Sequence, residues 1–228
     1  MIRRRALRNM RIYKYIHSCL LVEEGNGRIL FDPGIFSFIE GKVSPANFSD
    51  LSLIVVTHQH VDHVDTPALK TILEHNQVPV LTNTATQAYL AKEGITATAL
   101  DEGEYKVGSF TIRAIPAEHE KVLFPVPQNT AFLVNDLMLH PGDSLDPGLY
   151  TLKGIPALAL PIMAPWATVR DAAKFAEALK PDLAFPIHDG FAKEFFVEGQ
   201  QKNFSKYFAE AGIPFQPIAH QVEWIEVR

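Results

Sequence analysis

"LSLIVVTHQHVDHVD", residues 51–65, runs from an apolar stretch straight into His58, His60, Asp62, His63 and Asp65. A short apolar run that ends in polar residues reads as a buried strand. The polar cluster then lies where that strand stops. In an extended chain His58, His60 and Asp62 share one side, and His63 joins them only if the chain turns sharply. Neutral imidazole suits a borderline metal, and carboxylate supplies a hard anionic oxygen. Polar groups buried together without a shared partner would be costly, and a metal would be such a partner. By itself the cluster could serve one metal through three ligands or begin a site for two.

The chain around this stretch alternates. "RIYKYIHSCLLVEE" (11–24) and "GRILFDPG" (27–34) read as two strands joined at "GNG". "TPALKTILEHN" (66–76) carries a Thr-Pro start and apolar residues at helical spacing, and "TATQAYLAKEG" (84–94) is a second helix after the strand "VPVLTN". "EYKVGSFTIRAIPAEH" (104–119) suggests a hairpin turning at Gly108, and "TAFLVNDLMLHPGD" (130–143) another turning at Asn135-Asp136. "ALALPI" and "LAFPIHDG" are strands, "TVRDAAKFAEALKP" is an amphipathic helix stopped by Pro181, and "NFSKYFAEAG" is a late helix. This order favours one α/β domain over 10–228, with two sheets covered by helices. A single doubly wound sheet is the main competitor. Residues 1–9 read as a disordered extension.

His119, Asp143 and His188 each follow an apolar run, at a strand's end like the first cluster. Strand ends are where ligands gather in open α/β architectures. His75, His140 and His220 read as surface or hydrogen-bonded residues.

Composition narrows the partners. The 228 residues are 47% hydrophobic and 21% charged, as in an ordinary globular protein. A net charge of −5 offers no basic field, so no nucleic acid is expected. The single cysteine, Cys19, lies in an apolar run and reads as core. The basic start "MIRRRALRNM" is not followed by the apolar segment of a secretory signal, and no apolar run suffices for a bilayer. A cytoplasmic protein with no membrane partner is expected; a homo-oligomer is compatible with the sequence.

"THQHVDH", followed in order by His119, Asp143 and His188, resembles the metallo-β-lactamase superfamily, and "FDPG" adds that superfamily's early aspartate, Asp32. The resemblance covers nearly the whole chain from Met10. It implies an αββα sandwich, two mixed β-sheets flanked by helices, with metal at one edge. It implies that His58, His60 and His119 hold a first metal, that Asp62, His63 and His188 hold a second, and that Asp143 bridges them. Asp32 would orient ligands by hydrogen bonds. Two divalent ions are thus expected, zinc foremost, with manganese, iron or nickel also compatible.

Within the superfamily, Asp143 argues against true β-lactamase activity, and His60 argues for a hydrolase over the flavodiiron oxidoreductases. "IHSC", "NTAFLVND", "HPGDS", "LPIMAPW" and "FPIHDG" resemble the compact branch of ascorbate-6-phosphate lactonase-like proteins. No clear phosphate-binding cluster stands out; Lys121, Arg170 and Lys193 are the candidates. The implied activity is metal-dependent hydrolysis of an ester, lactone or phosphodiester bond of a small molecule. A metal-bridging hydroxide would be the nucleophile, oriented by Asp62. The alternative is a metal-bearing binding or sensor protein without efficient turnover. His17, read within a strand, and Phe36 and Trp166, on loops, are candidate pocket residues.

Overall fold

The computed structural model describes residues 9–218 and 224–228. Most of the extension assigned to 1–9, and also His220, lie outside the described residues. The strands and helices are, in chain order, β1 (Met10–Lys14), β2 (Leu20–Glu24), β3 (Gly27–Phe31), β4 (Leu53–Val55), α1 (Thr66–His75), β5 (Val80–Thr82), α2 (Thr84–Lys92), β6 (Thr98–Ala99), β7 (Gly103–Val107), β8 (Phe110–Pro116), β9 (Thr130–Val134), β10 (Met138–His140), β11 (Ala157–Pro161), α3 (Val169–Leu179), β12 (Leu183–Ile187), α4 (Glu194–Ala211) and β13 (Trp224–Val227).

The strands form two sheets, ordered β13-β1-β2-β3-β4-β5-β6 and β12-β11-β10-β9-β8-β7. Both are mixed: β3 to β6 and β10 to β12 run parallel, and the other pairs are antiparallel. The doubly wound alternative is thereby replaced by two sheets.

The period of two explains the layering. In β4 and the residue after it, Leu53 and Val55 face Phe132, Val134 and Ile187 of the other sheet, while Ile54 and Val56 face outward onto Leu69 and Ile72 of α1. Across the molecule Leu139 and Leu158 face out onto Phe175 of α3 and Phe208 of α4. Each sheet is therefore apolar on both faces, and the result is an αββα sandwich. Both expected hairpins form, at Gly108 (φ 54) and at Asn135 and Asp136 (φ 52 and 56). α3 starts with a capping box between Thr168 and Asp171, and it ends at Leu179, ahead of Pro181. No described helix is long and apolar enough to cross a membrane.

One reading is corrected. "RIYKYIHSCLLVEE" is two strands, β1 and β2, paired antiparallel. The N–H of Tyr15 donates to the carbonyl of Cys19 across the turn. His17 is therefore not in a strand: it sits in that turn at φ 66. The apolar residues either side conceal the break.

Candidate metal centre

The loops after β3, β4, β8, β10 and β12, with the β1–β2 turn, converge on one edge of the sandwich. After β4 the chain makes the required sharp turn, since the amides of His63 and Val64 both donate to the carbonyl of His60. That turn rests on the "FDPG" loop. The amide of Ile35 donates to Val61 and that of Asp65 to Pro33. Gly34 is pressed so close that an added Cβ would lie 1.8 Å from the carbonyl oxygen of Asp62. Gly34→Ala should therefore displace the Asp62–His63 backbone and cost about 1–3 kcal/mol or more. Melting temperature and bound metal should both fall, as calorimetry and elemental analysis would read.

Two groups of side chains meet there. Ligand atoms of His58, His60, His119 and Asp143 lie within 4.8 Å of one another, and so do those of His17, Asp62, His63 and His188. Asp143 lies between them: Oδ2 is 3.5 Å from His119 and 3.1 Å from His188, and Oδ1 is 2.9 Å from His63. All are buried except His60 and Asp62, and the Asp62 side chain is 22% exposed.

The outer hydrogen bonds fix which nitrogen of each ring points inward. His63 Nδ1–H donates to Asp32 Oδ2 (2.7 Å), His119 Nδ1–H to the carbonyl of Glu120 (2.6 Å), and His188 Nδ1–H to that of Met163 (2.6 Å). His58 Nδ1–H donates to Thr57 Oγ1 (3.1 Å), whose own proton goes to Asp32 (2.8 Å). The Thr57 amide also donates to Asp32 (2.8 Å). A neutral imidazole carries one proton, so each Nε2 presents a lone pair to the centre. There these lone pairs face Asp143 oxygens and His60 Nδ1, 3.1 Å from His58 and 3.2 Å from His119. His63 Nε2 and Asp143 Oδ1 are buried without any hydrogen bond. Lone pairs facing carboxylates require a cation between them. Burial pulls His63 down, yet the Asp143 and Asp32 carboxylates outweigh it and push it well above its ordinary value, so in the bare protein a proton would take that place. A divalent ion satisfies several of these acceptors at once, and the residues fit it.

His17 differs. The Gly190 amide donates to its Nδ1 (3.0 Å), so its ring proton is on Nε2, which donates to Asp62 Oδ2 (3.2 Å). It presents a proton to the centre, not a lone pair, and it holds Asp62 rather than joining the acceptors. Its carbonyl takes the amide of His188 (3.2 Å). Burial, then the neighbouring His188, lowers its pKa to about 4, which keeps it neutral. His17→Ala should leave metal content unchanged and slow turnover about 10–100-fold, as loss of a ligand's supporting hydrogen bond does; elemental analysis beside kinetics would show the split. His17, Asp32 and His188 all have positive φ (66, 43 and 63), a strained backbone that functional sites tolerate.

The remaining expectations also find places. Trp166 Nε1–H donates to Asp143 Oδ2 (3.0 Å), a contact the sequence did not suggest, and Phe36 packs edge-on against His17, with ring centroids 5.0 Å apart. His140 donates to the carbonyl of Ser18 and stacks on Phe31, and His75 is exposed. Burial pushes the Cys19 thiol up to about 12, in keeping with inert core. Three supports went unread. Thr57 and Asn129 are two; the latter accepts from the Asp143 amide (3.2 Å). The third is the fully buried ion pair of Lys14 with Asp189, next to His188. Thr57 lies inside the first motif, Asn129 opens "NTAFLVND" and Asp189 lies in "FPIHDG", but these motifs do not show what the side chains touch, and Lys14 lies in no motif.

The model of the β-lactamase superfamily domain matches residues 11–188, a span that holds every residue of this centre. The chain belongs to the metallo-β-lactamase superfamily. It is 37% identical over 189 residues to Protein Rv0786c of Mycobacterium tuberculosis, covering 78% of this chain and 84% of that one. It is 27% identical to the UPF0173 metal-dependent hydrolase MJ1163 of Methanocaldococcus jannaschii, covering 76% and 82%. Among solved structures, Igni18, a metallo hydrolase from the archaeon Ignicoccus hospitalis, shares the superfamily fold with a TM-score of 0.74 at 20% identity over 96% of this chain and 98% of that one.

Proposed function

We propose that this superfamily member is a metal-dependent hydrolase acting on an ester, lactone or phosphodiester bond of a small molecule. The observation that carries the reading is the ring of inward lone pairs beside an open face. Asp62 and His188 line two cavities that reach the surface, so a substrate can meet the centre. His58, His60 and His119 would hold one ion, and Asp62, His63 and His188 the other, with Asp143 shared between them. Zinc suits this donor set best, and manganese, iron and nickel also fit it. Bound metal would lower the pKa of water towards neutrality and polarise the bond under attack. Asp62, steadied by His17, orients the attacking water. Asp32 and Thr57 keep His63 and His58 in the acceptor tautomer. The oxygen of water adds to the electrophilic centre, the bond to the leaving oxygen breaks, and the water's proton ends on that oxygen. The proposed partner is a small molecule.

The test is a panel of carboxylic esters, lactones, thioesters and phosphodiesters, with protein loaded separately with zinc, manganese, iron or nickel. Hydrolysis that a chelator removes and metal restores is the expected result. Silence of the fully loaded protein across the panel would overturn the reading, and tight binding of a metabolite would then favour a binding protein.

A further inference from the structure

The two cavities at the open face have a shared chemistry. The larger, about 480 Å³, is walled beyond Asp62 and His188 by Phe36, Ile162, Met163, Phe191 and Phe196, with Gln200 its one further polar side chain. The smaller, about 300 Å³, continues past Trp166 to Leu123 and Phe124. Among the described residues no lysine or arginine lines either. The candidate phosphate contacts lie outside both cavities, in neighbouring hollows. Lys193 lines one that shares Phe36 and Phe191 with the larger cavity, where Lys42, Glu40 and Glu194 also stand, and Arg170 lines one between α3 and α4 that shares Val169 and Gln200 with it. Lys121 shares a third with Asp101 and Glu118, where the His119 side chain is fully covered. A phosphate or carboxylate laid against Phe, Ile and Met would lose its hydration with no partner in return. An alkyl chain there would gain.

We infer that the substrate is an uncharged carboxylic ester or lactone. Its carbonyl lies at Asp62 and His188, its apolar acyl chain occupies the larger cavity, and its alcohol portion points past Trp166. The inference rests on the hydrolase reading and narrows it. The volumes fall at the small end of ligand pockets, which suits an acyl group of medium length.

The experiment has two arms on the metal-loaded protein. In the first, kcat/KM is measured for p-nitrophenyl acetate, butyrate, hexanoate and octanoate, beside a phosphodiester and an ester bearing a carboxylate on its acyl chain. Each methylene that leaves water should raise kcat/KM about fourfold, until the cavity is full. The phosphodiester and the carboxylate ester should be the poorest substrates. In the second, calorimetry follows the binding of alkyl hydroxamates of the same chain lengths, which requires no turnover. Affinity should rise with chain length. Phe196 and Val169, 49% and 46% exposed, stand on the cavity wall, so Phe196→Glu and Val169→Glu should fold and should each shrink the advantage of long chains. A flat hydroxamate series, a slope that neither variant alters, or a preference for the charged substrates would overturn the inference. A sloping hydroxamate series with no ester hydrolysed would sink the hydrolase reading and leave the cavity assignment standing.

Discussion

Asp143→Asn should reduce turnover about a thousandfold or more and strip the protein of bound metal. Asp143 is buried and touches both groups of side chains, with Oδ2 3.1 Å from His188 and Oδ1 2.9 Å from His63. As the shared anion it would offset the charge of two cations, and no other carboxylate lies between the groups among the described residues. Loss of even part of a metal's several kcal/mol of transition-state stabilisation, about 4 kcal/mol, corresponds to the stated factor. The amide keeps the volume and can still accept from Trp166 Nε1–H, so the effect is one of charge and not of packing. At neutral pH the metal-free variant should be less stable than the metal-free parent. Burial works against the Asp143 carboxylate, yet the His188 and His63 charges and the hydrogen bonds of His119 and His188 hold its pKa well below the ordinary range, so its charged form stabilises the fold at neutral pH. When that anion is removed, His63 and His188 lose the carboxylate that holds their protons, and if His63 sheds its proton the buried Asp32 carboxylate loses its cationic partner. Chelated parent and variant melted side by side check this. A variant that keeps both metals and most activity would remove Asp143 from the bridge.

Much of this centre was legible because its residues obey local rules. The apolar run before His58 announces a buried strand, and dense polar residues at its end announce a ligand site. His119, Asp143 and His188 repeat that pattern on three further strands. What escaped depends on distant partners. Lys14 shares the buried face of β1 with Met10 and Ile12, but the partner that lets a charge lie there, Asp189, is 175 residues on. The role of His17 is set by Gly190 and Asp62, from two other loops, and its apolar neighbours suggest a strand where a turn exists. The pairing of β13 with β1 joins the two ends of the chain, which no local pattern encodes. The cavities are assembled from loops after β3 and β11 and from α4, so their apolar character emerges only with the fold.

His188→Ala separates the two proposed metals. About one tightly held ion per chain is expected, against about two in the parent, because His58, His60 and His119 with Asp143 still complete a four-ligand group. Beside the ligand His63, the group's remaining imidazole among the described residues is His17, and it cannot fill the gap: its Nδ1 accepts from Gly190, so its Nε2 carries a proton and has no lone pair to give. Turnover should fall by about the same thousandfold as for Asp143→Asn, since one of the two charges acting on the water and the carbonyl is gone. The fold should survive. The two apolar sheets and the helices α1 to α4 supply a core that does not need metal to form, unlike a zinc finger. The local cost is the space left by a buried ring and the loss of its hydrogen bond to Met163, so a modest fall in melting temperature is expected. Elemental analysis after exhaustive dialysis decides between the outcomes. If the parent never holds more than one ion under saturating metal, the second group is not a metal site. His63 and His188 would then be held protonated beside the Asp62 and Asp143 carboxylates in a mononuclear enzyme.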